Sequence, residues 1–223
     1  MTRVGRLALV GLVVLLAFPA WGADRAGFYT GLRLVGSVAD LNDEQTTGFT
    51  GPLVTQNGSD LVGGGGGVLG YRWGRFPFRT EVEVVHRVRF DWDTRDSGSP
   101  VVGYENNLDS TNVLVNLLLE YRNLSDFTPF FGGTVGWSRN NSEMRRTAVA
   151  TNTTIAQSTV VNNVAWGVMM GVDWGFGENW SAELAYRYIN LGEVDSGVFP
   201  AGDRLKADEY VSHDILISVL YKW

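Results

Sequence analysis

The sequence predicts an all-β fold, an eight-stranded antiparallel up-and-down β-barrel that spans a membrane. Three observations lead to this prediction. Apolar and charged residues alternate with a period of two, aromatic residues recur at the ends of the alternating segments, and short connections alternate with long ones. Because successive side chains of a β-strand point to opposite faces, a period of two indicates strands with one apolar and one polar face.

The composition fits one all-β domain and excludes several other classes of protein. The chain has 223 residues, 28 of them Gly, and no Cys. Without cysteine it can form neither a disulfide scaffold nor a thiolate metal site, and it has no Cys nucleophile. Its 18 Lys and Arg against 24 Asp and Glu give a formal net charge of −6. This acidic balance argues against a nucleic-acid partner, because nucleic-acid binders present a basic face.

The first segment has the pattern of a secretory signal peptide and is not expected to belong to the fold. Arg3 and Arg6 precede an apolar run over 7–18, and small residues follow before the first acidic residue, Asp24. The run is shorter than the roughly 20 apolar residues that a membrane-spanning helix needs. We therefore predict a signal peptide over 1–22, cleaved after Gly22, and a barrel domain over 23–223.

The clearest strand is 78–92, where one parity is apolar and the other is ionic. Phe78, Val82 and Val84 belong to the apolar parity. The charged residues of the opposite parity are Arg79, Glu81, Glu83, Arg87, Arg89 and Asp91. In a soluble sheet the apolar face would point to the core, whereas in a membrane barrel it faces lipid and the ionic face lines the interior.

Seven further segments show the same alternation, and their connections alternate in length. These segments are 27–39, 61–73, 110–122, 128–139, 163–175, 180–190 and 210–223. The short connections are 74–77, 123–127 and 176–179, and the long ones are 40–60, 93–109, 140–162 and 191–209. This pattern predicts short periplasmic turns, long extracellular loops and both chain ends on the periplasmic side. Since every backbone amide must be paired in lipid, the sheet must close on itself. The Thr-, Asn- and Val-rich stretch 147–161 could extend a hairpin above the membrane.

Aromatic side chains of the apolar parity occur at both ends of the predicted strands. Beside the short connections lie Tyr71, Trp73, Phe78, Tyr121, Trp174, Trp180, Tyr221 and Trp223. At the opposite strand ends lie Phe90, Trp92, Trp137, Trp166 and Tyr188. Two belts of aromatic rings separated by aliphatic residues match the two interfaces of a bilayer.

Four segments and the last residues resemble the OmpA/OmpX-type small outer-membrane β-barrels. The segments are 27–32 (GFYTGL), 67–72 (GVLGYR), 128–133 (TPFFGG) and 183–188 (ELAYRY). The resemblance covers the mature chain and implies a barrel in the outer membrane of a Gram-negative bacterium, surrounded by outer-membrane lipid and lipopolysaccharide. The terminal Tyr221-Lys222-Trp223 resembles the aromatic end that the outer-membrane assembly machinery reads in this family, which makes Trp223 the predicted assembly signal.

Eight strands leave an interior just wide enough for side chains, and here the inward positions carry charges of both signs. The predicted interior charge network comprises Arg33, Arg79, Glu81, Glu83, Arg87, Arg89, Asp91, Glu120, Asp173, Glu183, Arg187 and Asp214. Together with Arg72, Arg122 and Lys222 the positive and negative groups nearly cancel, as buried charges must if they are to stay ionised. We interpret the network as a salt-bridged plug, with a narrow ion channel as the alternative.

Three motifs that could suggest catalysis have simpler structural interpretations. The glycine run 63–67 is not followed by the Lys-Ser/Thr of a phosphate loop, and glycine in a strand permits close approach of a bulky neighbour. In Ser212-His213-Asp214 the imidazole would point away from its two neighbours on a strand, so a hydrolase triad is disfavoured. His213 as the base of a lipid A-modifying enzyme is the least favoured alternative. Glu81 and Glu83 lie beside inward arginines and are expected to form salt bridges. We expect no enzymatic activity, no cofactor and no metal site.

The predicted function is that of an integral outer-membrane β-barrel with a structural or surface-interaction role. An alternative is an adhesin or ligand-binding protein that recognises a host or other surface ligand through its long loops. These loops contain more acidic than basic residues and carry no recognisable motif, so the sequence does not identify a ligand.

Overall fold

The structure is a computed structural model that describes residues 26–47, 53–55, 59–96, 102–200, 202 and 204–223. The described residues form an all-β fold without helices. The strands are β1 (Gly27–Thr47), β2 (Leu53–Thr55), β3 (Ser59–Arg72), β4 (Phe78–Asp96), β5 (Val102–Glu120), β6 (Phe127–Ala148), β7 (Thr153–Phe176), β8 (Trp180–Asn190), β9 (Val194–Asp195) and β10 (Arg204–Lys222). In this part of the chain no helix is long and apolar enough to cross a membrane.

The eight long strands form a closed antiparallel ring. Their order is β1, β3, β4, β5, β6, β7, β8 and β10, and β10 pairs with β1 to complete the ring. At the closure Tyr29 pairs with Lys222, and the register continues to Thr47 opposite Arg204. The predicted eight-stranded up-and-down barrel is confirmed. The short strands β2 and β9 pair with β4 and β10 at the end of the barrel that carries the long connections, which we call the loop end.

Several strands continue well beyond the predicted bounds at the loop end. β6 and β7 stay paired up to Ala148 opposite Thr153, so most of the predicted loop 140–162 is a hairpin, and the predicted extension of 147–161 is confirmed. β4 and β5 likewise pair to Asp96 opposite Val102. Hydrophobic periodicity ends where the strand leaves lipid, because both faces can then be polar, and the sequence pattern therefore underestimates strand length.

A register shift interrupts the alternation of β4 near its loop end. Arg87 pairs with Ser110, but the next paired residue, Phe90, is opposite Leu108, so β4 has two residues where β5 has one. The prediction for Arg89, Asp91 and Trp92 assumed an unbroken period of two. Their side chains lie outside the described residues, and their predicted positions stay untested.

The predicted long connection 191–209 is largely folded against the loop end of the barrel. β9 continues β8 in the same register against β10, with Asn190 opposite Val211 and Val194 opposite Ala207. Residues 191–200 then cover the loop end of the interior, and we call this segment the lid. Its apolar side chains account for this packing, because Leu191, Val194 and Phe199 are buried.

Candidate functional site

The outer surface of the ring is an apolar band between two aromatic belts. Val84, Val115, Val168 and Ile217 are each about half exposed on this surface. Among the described residues between the belts, no Asp, Glu, Lys or Arg side chain points outward. Such a surface is stable only against hydrocarbon, so the described strands have the outer face of a membrane-spanning barrel.

The aromatic side chains predicted for the turn end form small clusters around the outside of the ring. Tyr71 lies 5.1 Å from Trp73, and Trp180 lies 5.0 Å from Tyr221, measured between ring centroids. Other outward aromatics there are Phe78, Tyr121, Trp174 and Trp223. At the loop end Trp137 and Trp166 are outward. Four exposed rings in or beside the short turns were not part of the predicted belts: Phe28, Phe76, Phe127 and Phe176.

The predicted interior charges whose side chains the structure describes lie inside the barrel, in layers. The layer nearest the turns is joined by Arg72, whose Nη2 lies 2.6 Å from Glu120 Oε1 and 2.8 Å from Asp173 Oδ2. Lys222 Nζ also reaches Asp173 Oδ2, at 3.3 Å, and Arg122 Nε donates to Glu120 Oε2 at 3.1 Å. These cations are partly exposed, so this layer meets water at the turn end of the barrel.

The central layer is buried, and its ion pairs join strands that are not neighbours in the ring. Arg33 on β1 lies 2.5 Å from Glu83 and 2.7 Å from Glu183, and Arg79 pairs with the same Glu183. Arg187 Nη1 donates to Glu83 Oε1 at 2.9 Å. All five side chains are fully buried. Buried charges are stable only when each has partners, so this layer depends on every member.

Two neutral side chains complete the central layer, and neither belongs to the network predicted from the sequence. Tyr29 Oη donates to Glu81 Oε1 at 2.7 Å. Asn116 Nδ2 donates to Glu83 Oε2 at 2.9 Å and to Glu81 Oε2 at 3.1 Å. Both residues have inward parity beside charged positions, which is the signal that could have identified them.

The layer nearest the loops is centred on Asp214. Its Oδ2 accepts from Arg87 Nη2 at 2.6 Å and from Arg187 Nε at 3.0 Å. Its Oδ1 accepts from Ser37 at 2.6 Å and from Ser212 at 2.7 Å. The structure thus brings together ten of the twelve predicted network residues, and only Arg89 and Asp91 have side chains outside its description.

An apolar cluster separates this network from the loop end. We call it the cap; it consists of Ala39, Val62, Val102, Tyr104, Leu108, Leu114, Met144, Ala165, Ile189, Leu191, Val194, Phe199, Leu205, Ala207 and Tyr210. Phe199 of the lid makes an edge contact with Tyr104 at 6.3 Å between ring centroids. The cap and the charged layers together fill the described interior with side chains.

Polar contacts hold the lid in the cap. Asn140 Nδ2 donates to the carbonyl oxygens of Leu191 and Glu193 at 3.0 and 3.1 Å, and Asn163 Nδ2 donates to that of Glu193 at 2.8 Å. Asp195 accepts two hydrogen bonds from Arg204, at 2.5 and 3.1 Å. Partial burial raises the pKa of Asp195, but the hydrogen bonds from Arg204 and the Gly197 amide outweigh burial, so its pKa lies below the ordinary carboxyl value.

The hydrolase-like triplet does not form a catalytic arrangement. The side chains of Ser212 and Asp214 point inward, and the Ser212 hydroxyl donates a hydrogen bond to Asp214. The His213 side chain is on the outer face, where its Nδ1 lies 2.7 Å from Tyr186 Oη. Glu81 and Glu83 both take part in ion pairs with Arg33. The run 63–67 is part of β3, and no phosphate loop is present there.

Comparison with known protein families gives one match over nearly the whole chain. The model of the family described as "Outer membrane protein beta-barrel domain" matches residues 7–222. Among curated proteins, "Outer membrane protein PagN" of Salmonella typhimurium is 28% identical over 173 residues, which cover 72% of this chain and 72% of PagN.

Solved structures with the same fold are small barrels of low sequence identity. Neisserial surface protein A is 15% identical with a TM-score of 0.52, over 88% of this chain and 97% of that protein. OprG of Pseudomonas aeruginosa is 14% identical with a TM-score of 0.52, over 91% of this chain and 98% of OprG. The attachment invasion locus protein Ail of Yersinia pestis is 10% identical with a TM-score of 0.51, over 89% of this chain and 100% of Ail.

The closed ring, its lipid-compatible band and the family match agree with one another. The short turns then lie on the periplasmic side and the long hairpins on the extracellular side, with outer-membrane lipid around the band. The chain belongs to the outer membrane protein beta-barrel domain family, and it is an integral barrel of the Gram-negative outer membrane with a structural or surface-interaction role.

Proposed function

We propose that this barrel acts as an adhesin, binding a ligand outside the cell through the hairpin β6–β7 and the lid. The observation that carries the proposal is a projecting surface with exposed apolar side chains beyond the lipid band. Val149, Ile155 and Val160 are exposed on the hairpin, and Val198 is exposed on the lid. Apolar side chains grouped in water usually mark an interaction surface.

The lid supports this role because it gives the hairpin a fixed base. Gly197 packs against the side chains of Gln157 and Thr159 of β7, which orders the lid beside the hairpin. A binding surface that is already ordered loses little conformational entropy when the ligand binds. Among the fold neighbours, Ail is a protein named for attachment and invasion.

Cell adhesion of bacteria that display the protein tests the proposal. We expect the variant Val149→Ser/Ile155→Ser/Val198→Ser to lower binding to cultured epithelial cells by about tenfold, as loss of an apolar anchor predicts. Leu124→Ser is the control, because Leu124 is also apolar and is even more exposed but lies on a periplasmic turn. Adhesion no greater than that of cells without the protein would contradict the proposal.

We further propose that the interior is a static plug and that the chain has neither channel nor enzymatic activity. The support is the burial of Arg33, Glu83 and Arg187 in mutual ion pairs beneath the cap. In planar bilayers we expect no steady conductance from the wild type. We also expect none from Phe199→Ala, because the charged layers below the cap still fill the interior. Steady currents that Glu81→Gln or Arg87→Gln abolish would favour the narrow channel instead.

We also propose that the chain is exported through a signal peptide over 1–22, folded through recognition of its C-terminal aromatic, and surrounded by lipopolysaccharide in the outer leaflet. Residues 1–22 lie outside the described part of the chain. Trp223 is highly exposed, and its amide donates to the carbonyl oxygen of Phe28 at 3.1 Å. An accessible terminal ring supports recognition by the assembly machinery. A Trp223→Ala variant that folds at the wild-type rate in cells would contradict this role.

A further inference from the structure

A row of outward polar side chains crosses three strands just beyond the extracellular aromatic belt. Thr111 of β5 is directly opposite Arg139 of β6, and Arg139 is directly opposite Asn162 of β7. Directly opposed residues share a face and have Cβ atoms about 5 Å apart. Trp137, two residues before Arg139 on the same face, belongs to the belt. The row therefore lies at the level where lipid headgroups begin.

Arg139 differs from Arg145, the other exposed arginine of β6, because it has no acidic partner among the described residues. Arg145 Nη2 lies 3.3 Å from Glu143 Oε1. Across the described part of the chain, the exposed side chains of Arg139 and Asn162 make no hydrogen bond or ion pair. The acidic side chain next to Arg139 in the register is Asp109, whose Oδ1 already accepts from Asn141 Nδ2 at 2.9 Å.

Thr111 and Asn162, the other two residues of the row, also carry hydrogen-bond donors. His86 is opposite Thr111, and its Nδ1 lies 2.9 Å from the Thr111 hydroxyl oxygen. When Nδ1 carries the ring proton it donates to that oxygen, and the hydroxyl hydrogen of Thr111 is then available to a ligand. On the opposite side of the barrel the outer face beyond the belt is acidic, since Asp40 lies on β1 and Glu209 on β10. A negative headgroup is therefore better accommodated beside Arg139 than beside Asp40 and Glu209, although Asp109 also lies on the outer face of β5.

We propose that Arg139, Thr111 and Asn162 form a binding site for a phosphate group of an outer-leaflet lipid, the phosphorylated sugar of lipopolysaccharide. The guanidinium binds two phosphate oxygens, and the hydroxyl and amide groups donate to the same phosphate from either side. The Trp137 ring below it lies against the lipid's upper acyl region. This site rests on the proposed contact with lipopolysaccharide and is independent of adhesion.

Binding of lipopolysaccharide to the purified, folded barrel in zwitterionic detergent tests the site. We expect Arg139→Gln to weaken binding by about tenfold, the equivalent of losing one charge-assisted hydrogen-bond pair. Arg145→Gln is the matched control, because Arg145 is on the same strand and face but is already paired, and its affinity should stay within about twofold. Dephosphorylated lipopolysaccharide should bind the wild type as weakly as the intact lipid binds Arg139→Gln.

Four results would overturn the site, and each has a different meaning. Equal losses in Arg139→Gln and Arg145→Gln would mean that charge alone attracts the lipid. Binding of inorganic phosphate with the same affinity as lipopolysaccharide would identify a soluble anion as the ligand. Strong lipopolysaccharide binding that is unchanged in Arg139→Gln would place the contact elsewhere and leave the broader proposal standing, whereas no binding by the wild type would contradict both.

Discussion

Arg33 on β1 and Glu83 on β4 form a 2.5 Å ion pair although β3 lies between their strands. The residue opposite Arg33 on β3 is Gly66, which is itself opposite Val85 of β4. A Cβ at Gly66 would overlap the carbonyl oxygen of Val84 and the Val85 side chain. Glycine at position 66 thus permits the close approach of β3 and β4 at the point where the Arg33 side chain reaches from β1 to β4.

Substitution of Gly66 should therefore be far more harmful than substitution of its neighbour. Gly66→Ala is expected to destabilise the folded barrel by about 1–3 kcal/mol, since the added methyl group meets backbone that cannot move easily. Gly65→Ala is the control, because the nearest atom to a Cβ there, the Arg33 carbonyl oxygen, is 3.7 Å away. Urea-induced unfolding in lipid vesicles measures both, and equal stabilities would contradict this account of the run.

Neutralising Glu83 should expose the interdependence of the charged layers. Glu83→Gln leaves Arg33 and Arg187 without one shared carboxylate and is expected to cost about 3–5 kcal/mol, as for other broken buried pairs. Glu178→Gln, on an exposed turn, should change the free energy of unfolding by less than about 0.5 kcal/mol. If the double variant Glu83→Gln/Arg187→Gln loses as much as the sum of the single variants, the two residues are not coupled.

A charge on the outer band should be costly because that face contacts hydrocarbon. Val84 is 49% exposed on the outer face and lies near the middle of β4. Val84→Arg is expected to destabilise the barrel by about 2–4 kcal/mol in vesicles, and Val84→Leu by less than about 0.5 kcal/mol. A tolerated Val84→Arg would mean that this face does not contact lipid.

The lid should open in acid because its anchoring carboxylate must stay ionised. The folded pKa of Asp195 lies below the ordinary value of 3.8, so the pair with Arg204 stabilises the lid above pH 3.8 and is lost as the pH falls through the folded pKa. Hydrogen exchange of the amides in 194–207 should therefore be steady from pH 7 to about pH 4, after correction for intrinsic rates, and accelerate below that.

Two variants control the acid response of the lid. Asp195→Asn should show fast exchange in 194–207 at every pH, since the charge is absent throughout. Glu193→Gln should keep the wild-type pH profile, because among the described residues the Glu193 carboxylate forms its ion pair with the half-buried Lys206, at 3.1 Å. A wild-type profile in Asp195→Asn would show that the lid does not depend on the Asp195 carboxylate.

The sequence by itself determined, within the unbroken parts of the strands, which residues face lipid and which face the interior. This follows because a strand alternates its side chains and a bilayer demands an apolar face, so Val84 and Glu83 must point in opposite directions in any closed sheet. The aromatic belts followed from the same period. Strand length at the loop end did not, because outside lipid neither face needs to be apolar.

Only the tertiary structure decided which charges meet, where the alternation breaks, and how the loop end closes. The pair Arg33–Glu83 depends on ring curvature across β3, and the register shift after Arg87 depends on the pairing of β4 with β5. Phe199 is a single aromatic residue in a polar connection, with no periodic signal of its own, and it is buried because the ring leaves an apolar space that it can fill. Such contacts are set by the distance between strands in space, which a one-dimensional pattern does not contain.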